Sequence, residues 1–211
     1  MDETLQQIYN GIIDGNVAVV KENIARALAA KQDPSVILND AMIAAMSEVG
    51  HRFECGEYFV PEMLIAARAM KAGTELLKPH LQNAQVKSVG IVVIGTVKGD
   101  LHDIGKNLVG MMLEGAGFQV IDLGTDVAPE KFIDAARSNN ANVIGLSALL
   151  TTTMPGMKNV IDALEQAKLH QRVKVMVGGA PITDDFARQI GADGFAPDAS
   201  RAVSVAKSLL G

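Results

Sequence analysis

A carboxylate, an imidazole and a glycine lie close together in residues 99–107, which read GDLHDIGKN. His102 follows Asp100 by two residues, and Gly105 follows His102 by three. A carboxylate this close to a histidine can accept a hydrogen bond from one ring nitrogen and leave the other free for a metal, as in many metal-bound histidines. Taken alone, the pattern is more typical of a solvated loop histidine, so the metal-ligand interpretation depends on the rest of the chain.

The motif lies between a predicted strand and a predicted helix. Residues 88–95, SVGIVVIG, form the most apolar run of the chain, which is typical of a buried parallel strand. After the motif, apolar residues recur at helical spacing from Ile104 to Leu113. Because ligands of open α/β sheets bind beyond the carboxyl ends of the strands, residues 99–105 are predicted to form a binding loop.

From residue 88 onward, strand and helix patterns alternate, which indicates an α/β domain. We predict a flavodoxin-like (Rossmann-type) parallel sheet of five strands in the order 2-1-3-4-5. The predicted strands are residues 89–95, 119–123, 143–146, 173–177 and 194–196. The predicted helices are residues 104–114, 130–138, 157–167, 184–190 and 200–210.

Residues 1–85 contain helical patterns only, and we predict that they form a four-helix bundle. Asn16 and Asp33 are suited to cap the second and third helices, and Pro61 to open the fourth.

The polar segment 78–87, which contains Pro79, should end the bundle and connect two domains. We place these domains at residues 1–85 and 88–211. We expect the bundle to move relative to the sheet domain about this connector, because a small interface within one chain permits such motion.

Composition excludes several classes of protein. The net charge of the 211 residues is −5, and no basic run exceeds two residues, so we expect no nucleic-acid partner. The polar N-terminus does not resemble a signal peptide, and no apolar run is long enough for a membrane span. A single cysteine, Cys55, excludes an intramolecular disulfide. We therefore expect a cytoplasmic protein without membrane association.

Two further motifs follow later predicted strands, Ser147-Ala148-Leu149 after the third and Gly178-Gly179 after the fourth. With Asp100, His102 and Gly105 they form the series D-x-H-x-x-G, S-x-L and G-G, in which the sequence resembles the cobalamin-binding domain family. The chain is most similar to small corrinoid carrier proteins of methyltransferase systems, and also to the cobalamin-binding module of methionine synthase. The resemblance includes the N-terminal helices and covers nearly the whole chain.

The resemblance implies roles for the residues of the first motif. His102 would be the lower axial ligand of cobalt, in place of the nucleotide base of the cofactor. Asp100 would accept a hydrogen bond from the other ring nitrogen, and Gly105 would keep side chains out of the space between loop and ligand. Thr153, six positions after Ser147, would extend this hydrogen bonding through its hydroxyl or would be an ordinary loop residue.

A second group of residues would hold the displaced nucleotide tail, again by resemblance. Thr96 and Gly99 would line its slot, and Ser147 would hydrogen-bond to the benzimidazole. Leu149 would pack near the tail or the corrin, and Gly178-Gly179 would let the nucleotide approach the backbone closely.

Two residues near these motifs have alternative interpretations. Phe59 either shields the upper face of the cobalt, by resemblance, or is a core residue between helices. Lys106 either contacts the corrin edge or is solvated, and we favour the solvated state.

The function implied is that of a carrier of methyl groups on cobalamin or a related corrinoid, a cofactor subunit rather than a complete enzyme. Its partners would be a substrate-specific methyltransferase, a second methyltransferase that delivers the methyl group to a thiol or tetrahydrofolate, and a reductive activase. One alternative is the small subunit of an adenosylcobalamin-dependent mutase, which usually lacks an N-terminal bundle. Another is a cobalamin-dependent sensor, although no basic pair of DNA-binding helices is visible. The sequence leaves the methyl donor open.

Overall fold

The computed structural model describes residues 2–83 and 88–211. By its contacts the chain divides into two compact units, one of residues 1–87 and 114–117, the other of residues 88–113 and 118–211. The boundary that we predict between residues 85 and 88 falls at residues 84–87, which lie outside the described residues.

The helical unit begins with two short amphipathic helices whose first turns are capped by side chains. Asp2 accepts a hydrogen bond from the backbone N–H of Leu5, and Asn16 accepts one from that of Val19. Asp33, followed by Pro34, caps the third helical segment as predicted. The elements are α1 (Glu3–Ile13), α2 (Val17–Ala29), α3 (Pro34–Val36), a π-helical segment (Ile37–Ile43), α4 (Ala44–Glu54) and α5 (Val60–Asn83).

The predicted helical bundle is confirmed, with one correction at its end. Helix α5 continues through residues 78–83 with Pro79 inside it, so the predicted connector is wrong over these residues. A proline removes one hydrogen bond of a helix, but the remaining turns keep theirs, and the buried Leu77 holds the preceding turn in the core. The rest of the proposed hinge, residues 84–87, lies outside the described residues.

The second unit is the predicted parallel sheet. Its strand order is β2-β1-β3-β4-β5, and every pairing is parallel, which confirms the predicted topology. The strands are β1 (Ile91–Thr96), β2 (Gln119–Asp122), β3 (Val143–Ser147), β4 (Lys174–Gly178) and β5 (Gly194–Phe195). The helices are α6 (Ile104–Gly115), α7 (Pro129–Ser138), α8 (Pro155–Gln166), α9 (Asp184–Ile190) and α10 (Ala199–Ser208).

The central strands are almost completely buried, which is why their sequences are continuous apolar runs. Val93, Ile144 and Val175 lie at the centre of this core. The sheet places Thr96, Ser147 and Gly178 side by side at its carboxyl edge. The loops that carry the three sequence motifs therefore leave the sheet next to one another. No helix among residues 2–83 and 88–211 is long and apolar enough to cross a membrane.

Candidate functional site

The first loop of the site joins β1 to α6 and spans residues 97–103. We call it the histidine loop. Within it, the side chain of Asp100 is completely buried. Its Oδ1 accepts a hydrogen bond from the backbone N–H of His102 at 3.1 Å and lies 2.8 Å from Nδ1 of the same residue's ring. The structure therefore brings together the carboxylate and the imidazole that the sequence pairs.

The other oxygen of Asp100 binds the loop between β3 and α8. Oδ2 accepts hydrogen bonds from the backbone N–H groups of Leu149 at 2.8 Å and Leu150 at 3.3 Å. The Thr153 hydroxyl lies 2.7 Å from Oδ2 and 2.9 Å from the carbonyl oxygen of Leu150. A hydroxyl has one hydrogen to donate, and a carboxylate is the stronger acceptor, so Thr153 donates to Asp100.

Opposing effects set the pKa of Asp100. Burial raises the pKa, but hydrogen bonds from the Thr153 hydroxyl, from backbone N–H groups and from the His102 ring outweigh it and hold the pKa well below its usual range. At neutral pH the carboxylate is therefore ionised and only accepts hydrogen bonds. In the neutral imidazole the proton consequently resides on Nδ1, and Nε2 keeps the lone pair that a metal needs. The His102 side chain is 52% exposed, so a ligand can reach it.

Three more of the predicted site residues lie along the histidine loop or at its ends. Thr96 is buried, and its hydroxyl donates to the carbonyl oxygen of His102 at 2.9 Å. Gly99 has a φ of +85°, and its N–H donates to Oδ1 of Asp126 at 2.7 Å. Gly105 is exposed, and a Cβ there would meet no atom within 4 Å. Thr96 and Gly99 thus shape the loop, and Gly105 leaves open space beside it. The contact of Thr96 and Gly99 with a nucleotide tail stays a prediction.

Lys106 is buried, so our expectation of a solvated side chain is wrong. Its side chain is 1% exposed, and Nζ donates to Oδ2 of Asp122 at 2.5 Å and to Oδ1 of Asn107 at 2.6 Å. Asp122 ends β2, the strand next to β1, and the sheet order brings its carboxylate to the first turn of α6. A buried ammonium group needs such partners, and Asp122 is sixteen residues away in the sequence.

The second motif lies at the carboxyl end of β3. Ser147 is half-buried and pairs with Thr96 of β1 on one side and Gly178 of β4 on the other. The Leu149 side chain is partly exposed, while its N–H holds Asp100. The structure thus assigns Leu149 a backbone role that the motif does not reveal.

The glycine pair of the third motif is required by the protein's own backbone. Gly179 has a φ of +137°, and a Cβ there would lie 1.9 Å from the carbonyl oxygen of Ala148. A Cβ at Gly178 would lie 2.8 Å from the carbonyl oxygen of Ala196. Neighbouring loops therefore exclude side chains at both positions. The close approach of a nucleotide to this pair stays a prediction.

Exposed apolar side chains lie on the histidine loop, at the first residue of α6 and on the loop between β3 and α8. Leu101 is 73% exposed, Ile104 is 81% exposed, and Leu149 and Leu150 are each 42% exposed. Of these four residues, the sequence identified only Leu149 as part of the site. Ile104 was missed because it fits the apolar periodicity of α6. Leu101, an apolar residue within a loop of polar residues and glycines, was the available signal. Exposed apolar residues clustered in this way mark a ligand-binding or interaction surface.

Two family profiles, each described as "B12 binding domain", match the chain, one over residues 90–204 and the other over residues 4–78. The chain belongs to the B12-binding family. Its cofactor is therefore cobalamin or a related corrinoid, as the three motifs imply.

The chain is similar over nearly its whole length to corrinoid proteins. The chain is 45% identical over 210 residues to dimethylamine corrinoid protein 1 of Methanosarcina acetivorans, covering 99% of this chain and 98% of that protein. It is 42% identical over 211 residues to trimethylamine corrinoid protein 1 of Methanosarcina mazei, with coverages of 99% and 98%. Among solved structures, a chain of the methanol:cobalamin methyltransferase complex of Methanosarcina barkeri is similar with a TM-score of 0.89, 32% identity and coverages of 100% and 81%.

These comparisons confirm the predicted function of a corrinoid protein that carries methyl groups in methyltransferase systems. They favour it over the mutase subunit and the sensor.

The residues of the site fit a corrinoid. A single imidazole with a free Nε2 suits a metal whose other positions are filled by a macrocycle rather than by protein side chains. The exposed leucines and Ile104 offer apolar surface to a large ring, and the open space at Gly105 keeps that surface free of side chains.

Phe59, the predicted residue of the helical unit, directly precedes α5. Its backbone N–H donates to Oε2 of Glu62 at 2.9 Å, which fixes the start of the helix. The Phe59 side chain is 65% exposed, so the alternative of a core residue between helices is wrong. Its role towards the cobalt stays a prediction.

Proposed function

We propose that this chain carries methyl groups from a methylamine-specific methyltransferase to a second methyltransferase, whose acceptor is a thiol or tetrahydrofolate. The names of the corrinoid proteins that are 42–45% identical to it over nearly their whole length support a methylated amine as the donor. A reductive activase would complete the set of partners, and the cytoplasmic location that we expect stays a prediction.

The observation that carries this proposal is the pairing of a half-exposed imidazole with a completely buried carboxylate. When bound, the corrinoid supplies a cobalt centre that accepts and releases a methyl group. His102 would hold the metal through Nε2, and Asp100 keeps the proton of the ring on Nδ1 by accepting its hydrogen bond at 2.8 Å. The Thr153 hydroxyl and the Leu149 N–H hold the carboxylate in turn, so the ring is oriented before any ligand arrives.

The remaining predicted residues complete the proposed site. We assign Ser147, Leu149 and the Gly178-Gly179 pair to the nucleotide tail, with Thr96 and Gly99 at the start of its slot. Their position at the carboxyl edge of three adjacent strands supports this assignment. Phe59 is proposed to shield the methyl group, and its exposure is compatible with contact to a ligand.

The visible absorption spectrum of the reconstituted protein tests the role of His102. We expect the wild type to bind one cobalamin with the histidine in place of the nucleotide base, and His102→Ala to bind it without that ligand. His51→Ala is the matched control, because His51 is an exposed histidine of helix α4 in the other unit. Identical spectra of the wild type and His102→Ala, or no binding by the wild type, would contradict the assignment.

The methyl donor is tested separately with the loaded wild type. We would reduce the bound cobalt to cobalt(I) with titanium(III) citrate and incubate the protein with purified methyltransferases for dimethylamine, trimethylamine, monomethylamine and methanol, each with its own substrate. The readout is methylation of the corrinoid. The proposal expects methylation with at least one of the amine enzymes and little with the methanol enzyme. Methylation by the methanol enzyme alone would refute the proposed donor class while leaving the role of a methyl carrier intact.

A further inference from the structure

The loop between β2 and α7, residues 123–128, lies beside the histidine loop. Backbone hydrogen bonds join the two at the end of β1. The N–H of Thr96 donates to the carbonyl oxygen of Gly124, and the N–H of Val127 donates to that of Thr96, each at 3.0 Å. These bonds hold the start of the histidine loop and involve backbone atoms alone.

Asp126 adds two contacts further along the histidine loop. Its Oδ1 accepts a hydrogen bond from the N–H of Gly99 at 2.7 Å, and its own N–H donates to the carbonyl oxygen of Asp100 at 3.0 Å. Both contacts are made with residues that directly precede Leu101 and His102. One residue of the neighbouring loop therefore fixes the backbone from which the side chains of Asp100 and His102 extend.

The backbone of Asp126 restricts which residues can do this. Its φ is +54°, in the left-handed region, where aspartate and asparagine are several-fold enriched among residues other than glycine. A glycine could adopt this conformation but has no side-chain acceptor for the Gly99 N–H. An alanine would be strained at this φ and would also lack the acceptor. The conformation and the contact together select a short side chain with an oxygen.

We propose that Asp126 is a positioning residue for His102 and acts through Gly99 and Asp100. The inference rests on the proposed role of His102 as the metal ligand. By holding the backbone at residues 99 and 100, Asp126 fixes the origin of the carboxylate that orients the imidazole. The hydrogen bond that the carboxylate accepts from the Gly99 N–H is charge-assisted and short, which makes it an effective constraint although the Asp126 side chain is exposed.

Two substitutions separate the acceptor from the backbone conformation. Asp126→Gly keeps the left-handed conformation and removes the acceptor, whereas Asp126→Asn keeps both. Lys168→Gly is the matched control, because Lys168 is exposed and has a φ of +56° in the turn after α8, away from the site loops.

Amide hydrogen exchange of the apoprotein gives the first readout, which needs no cofactor. Asp126→Gly should accelerate exchange about tenfold at Gly99, the value of one lost hydrogen bond to a charged group, and measurably at His102. Lys168→Gly should leave both amides close to the wild type, and Asp126→Asn, which keeps an oxygen acceptor without its charge, should give rates between those of the wild type and Asp126→Gly. Faster exchange at Gly99 alone would show that Asp126 acts only on its immediate partner and would overturn the inference.

Titration with cobalamin, followed by the visible spectrum, gives the second readout. We expect Asp126→Gly to bind cobalamin about tenfold more weakly, at the lower end of the effect of residues that orient metal ligands, and with a smaller histidine-ligated fraction. Wild-type affinity and spectrum in Asp126→Gly would overturn the inference, and so would an equal loss in Asp126→Asn. If His102 were not the metal ligand, His102→Ala would have the wild-type spectrum, which distinguishes that outcome from a failure of this inference. The exchange rate at the His102 amide would then still test whether Asp126 holds the backbone of the histidine loop.

Discussion

Replacing Asp100 by asparagine removes a charge and an acceptor from a completely buried group while keeping its shape. The carboxylate receives two donors from His102 on Oδ1 and three donors, from Leu149, Leu150 and Thr153, on Oδ2. An asparagine has one oxygen and one NH₂ group, so one of these sets of donors must face another donor.

The better arrangement of the asparagine turns its oxygen towards Leu149 and Leu150 and its NH₂ group towards His102. The backbone N–H of His102 then loses its acceptor, and Nδ1 of the ring must accept a hydrogen bond instead of donating one. The ring proton moves to Nε2, the atom that would bind the metal. A buried donor without a partner costs about 1–3 kcal/mol. Together with the loss of charge on the remaining bonds, we expect Asp100→Asn to lower the free energy of unfolding by about 2–4 kcal/mol.

Two measurements check this expectation. Urea unfolding of the apoprotein gives the free-energy change, and cobalamin titration gives the effect on ligation, which should weaken about 10- to 100-fold. Because the substitution removes the acceptor and not the ligand, binding itself should persist at high cobalamin concentration. An unfolding free energy within about 0.5 kcal/mol of the wild type, the range of an ordinary surface substitution, would refute the description of Asp100 as a buried acceptor of five hydrogen bonds.

Three further predictions concern the Thr153 hydroxyl, the charge of Asp100 and the buried Lys106. Thr153→Val should raise the pKa of Asp100 and lower the free energy of unfolding of the apoprotein in urea by about 1–2 kcal/mol. Thr153→Ser, which keeps the hydroxyl, should lower it by less than half as much. Equal losses would contradict the hydrogen bond from the Thr153 hydroxyl to Asp100. Since the pKa of Asp100 is lowered by folding, the stability that its charge contributes is present above about pH 4 and is lost as the pH falls further. The difference in unfolding free energy between the wild type and Asp100→Asn should therefore shrink from pH 5 to pH 3, and a constant difference would argue against an ionised Asp100. Lys106→Met should change the unfolding free energy by less than about 1.5 kcal/mol, because methionine fills the same space and Asp122, which is 45% exposed, can be hydrated. Lys106→Ala leaves a cavity and should lower the unfolding free energy by more than about 2 kcal/mol. Similar losses in the two variants would assign the stabilisation to the ion pair.

The sheet could be predicted because its central strands are apolar runs whose burial shows in their own residues. Its order could be predicted because alternating strands and helices favour the flavodoxin-like topology. The pairing of Asp100 with His102 could also be predicted, because both residues belong to one short motif and are close in the sequence. The burial of Lys106 could not, because its partner Asp122 lies on another strand. The contacts of the Leu149 and Leu150 N–H groups with Asp100 could not be predicted either, because every residue except proline has a backbone N–H and the residue type does not show where it donates.

Other differences arose where a local rule was outweighed by its surroundings. The polar segment with Pro79 indicated the end of the bundle, yet α5 continues through residue 83. The apolar periodicity of α6 includes Ile104, yet this side chain is 81% exposed because it begins the helix at the edge of the sheet. Periodicity reports which residues are apolar, and a binding surface for an apolar ligand uses the same residues as a core.

The glycine pair at residues 178 and 179 has a consequence for how such chains diverge. Carbonyl oxygens of Ala148 and Ala196 exclude side chains there whether or not a cofactor is present. A descendant that had lost its corrinoid would thus still need both glycines in order to fold. Leu101 and Ile104, exposed to water without the cofactor, would be free to become polar in the same lineage. In distant relatives, the apolar residues beside His102 are therefore better markers of a retained cofactor than the paired glycines.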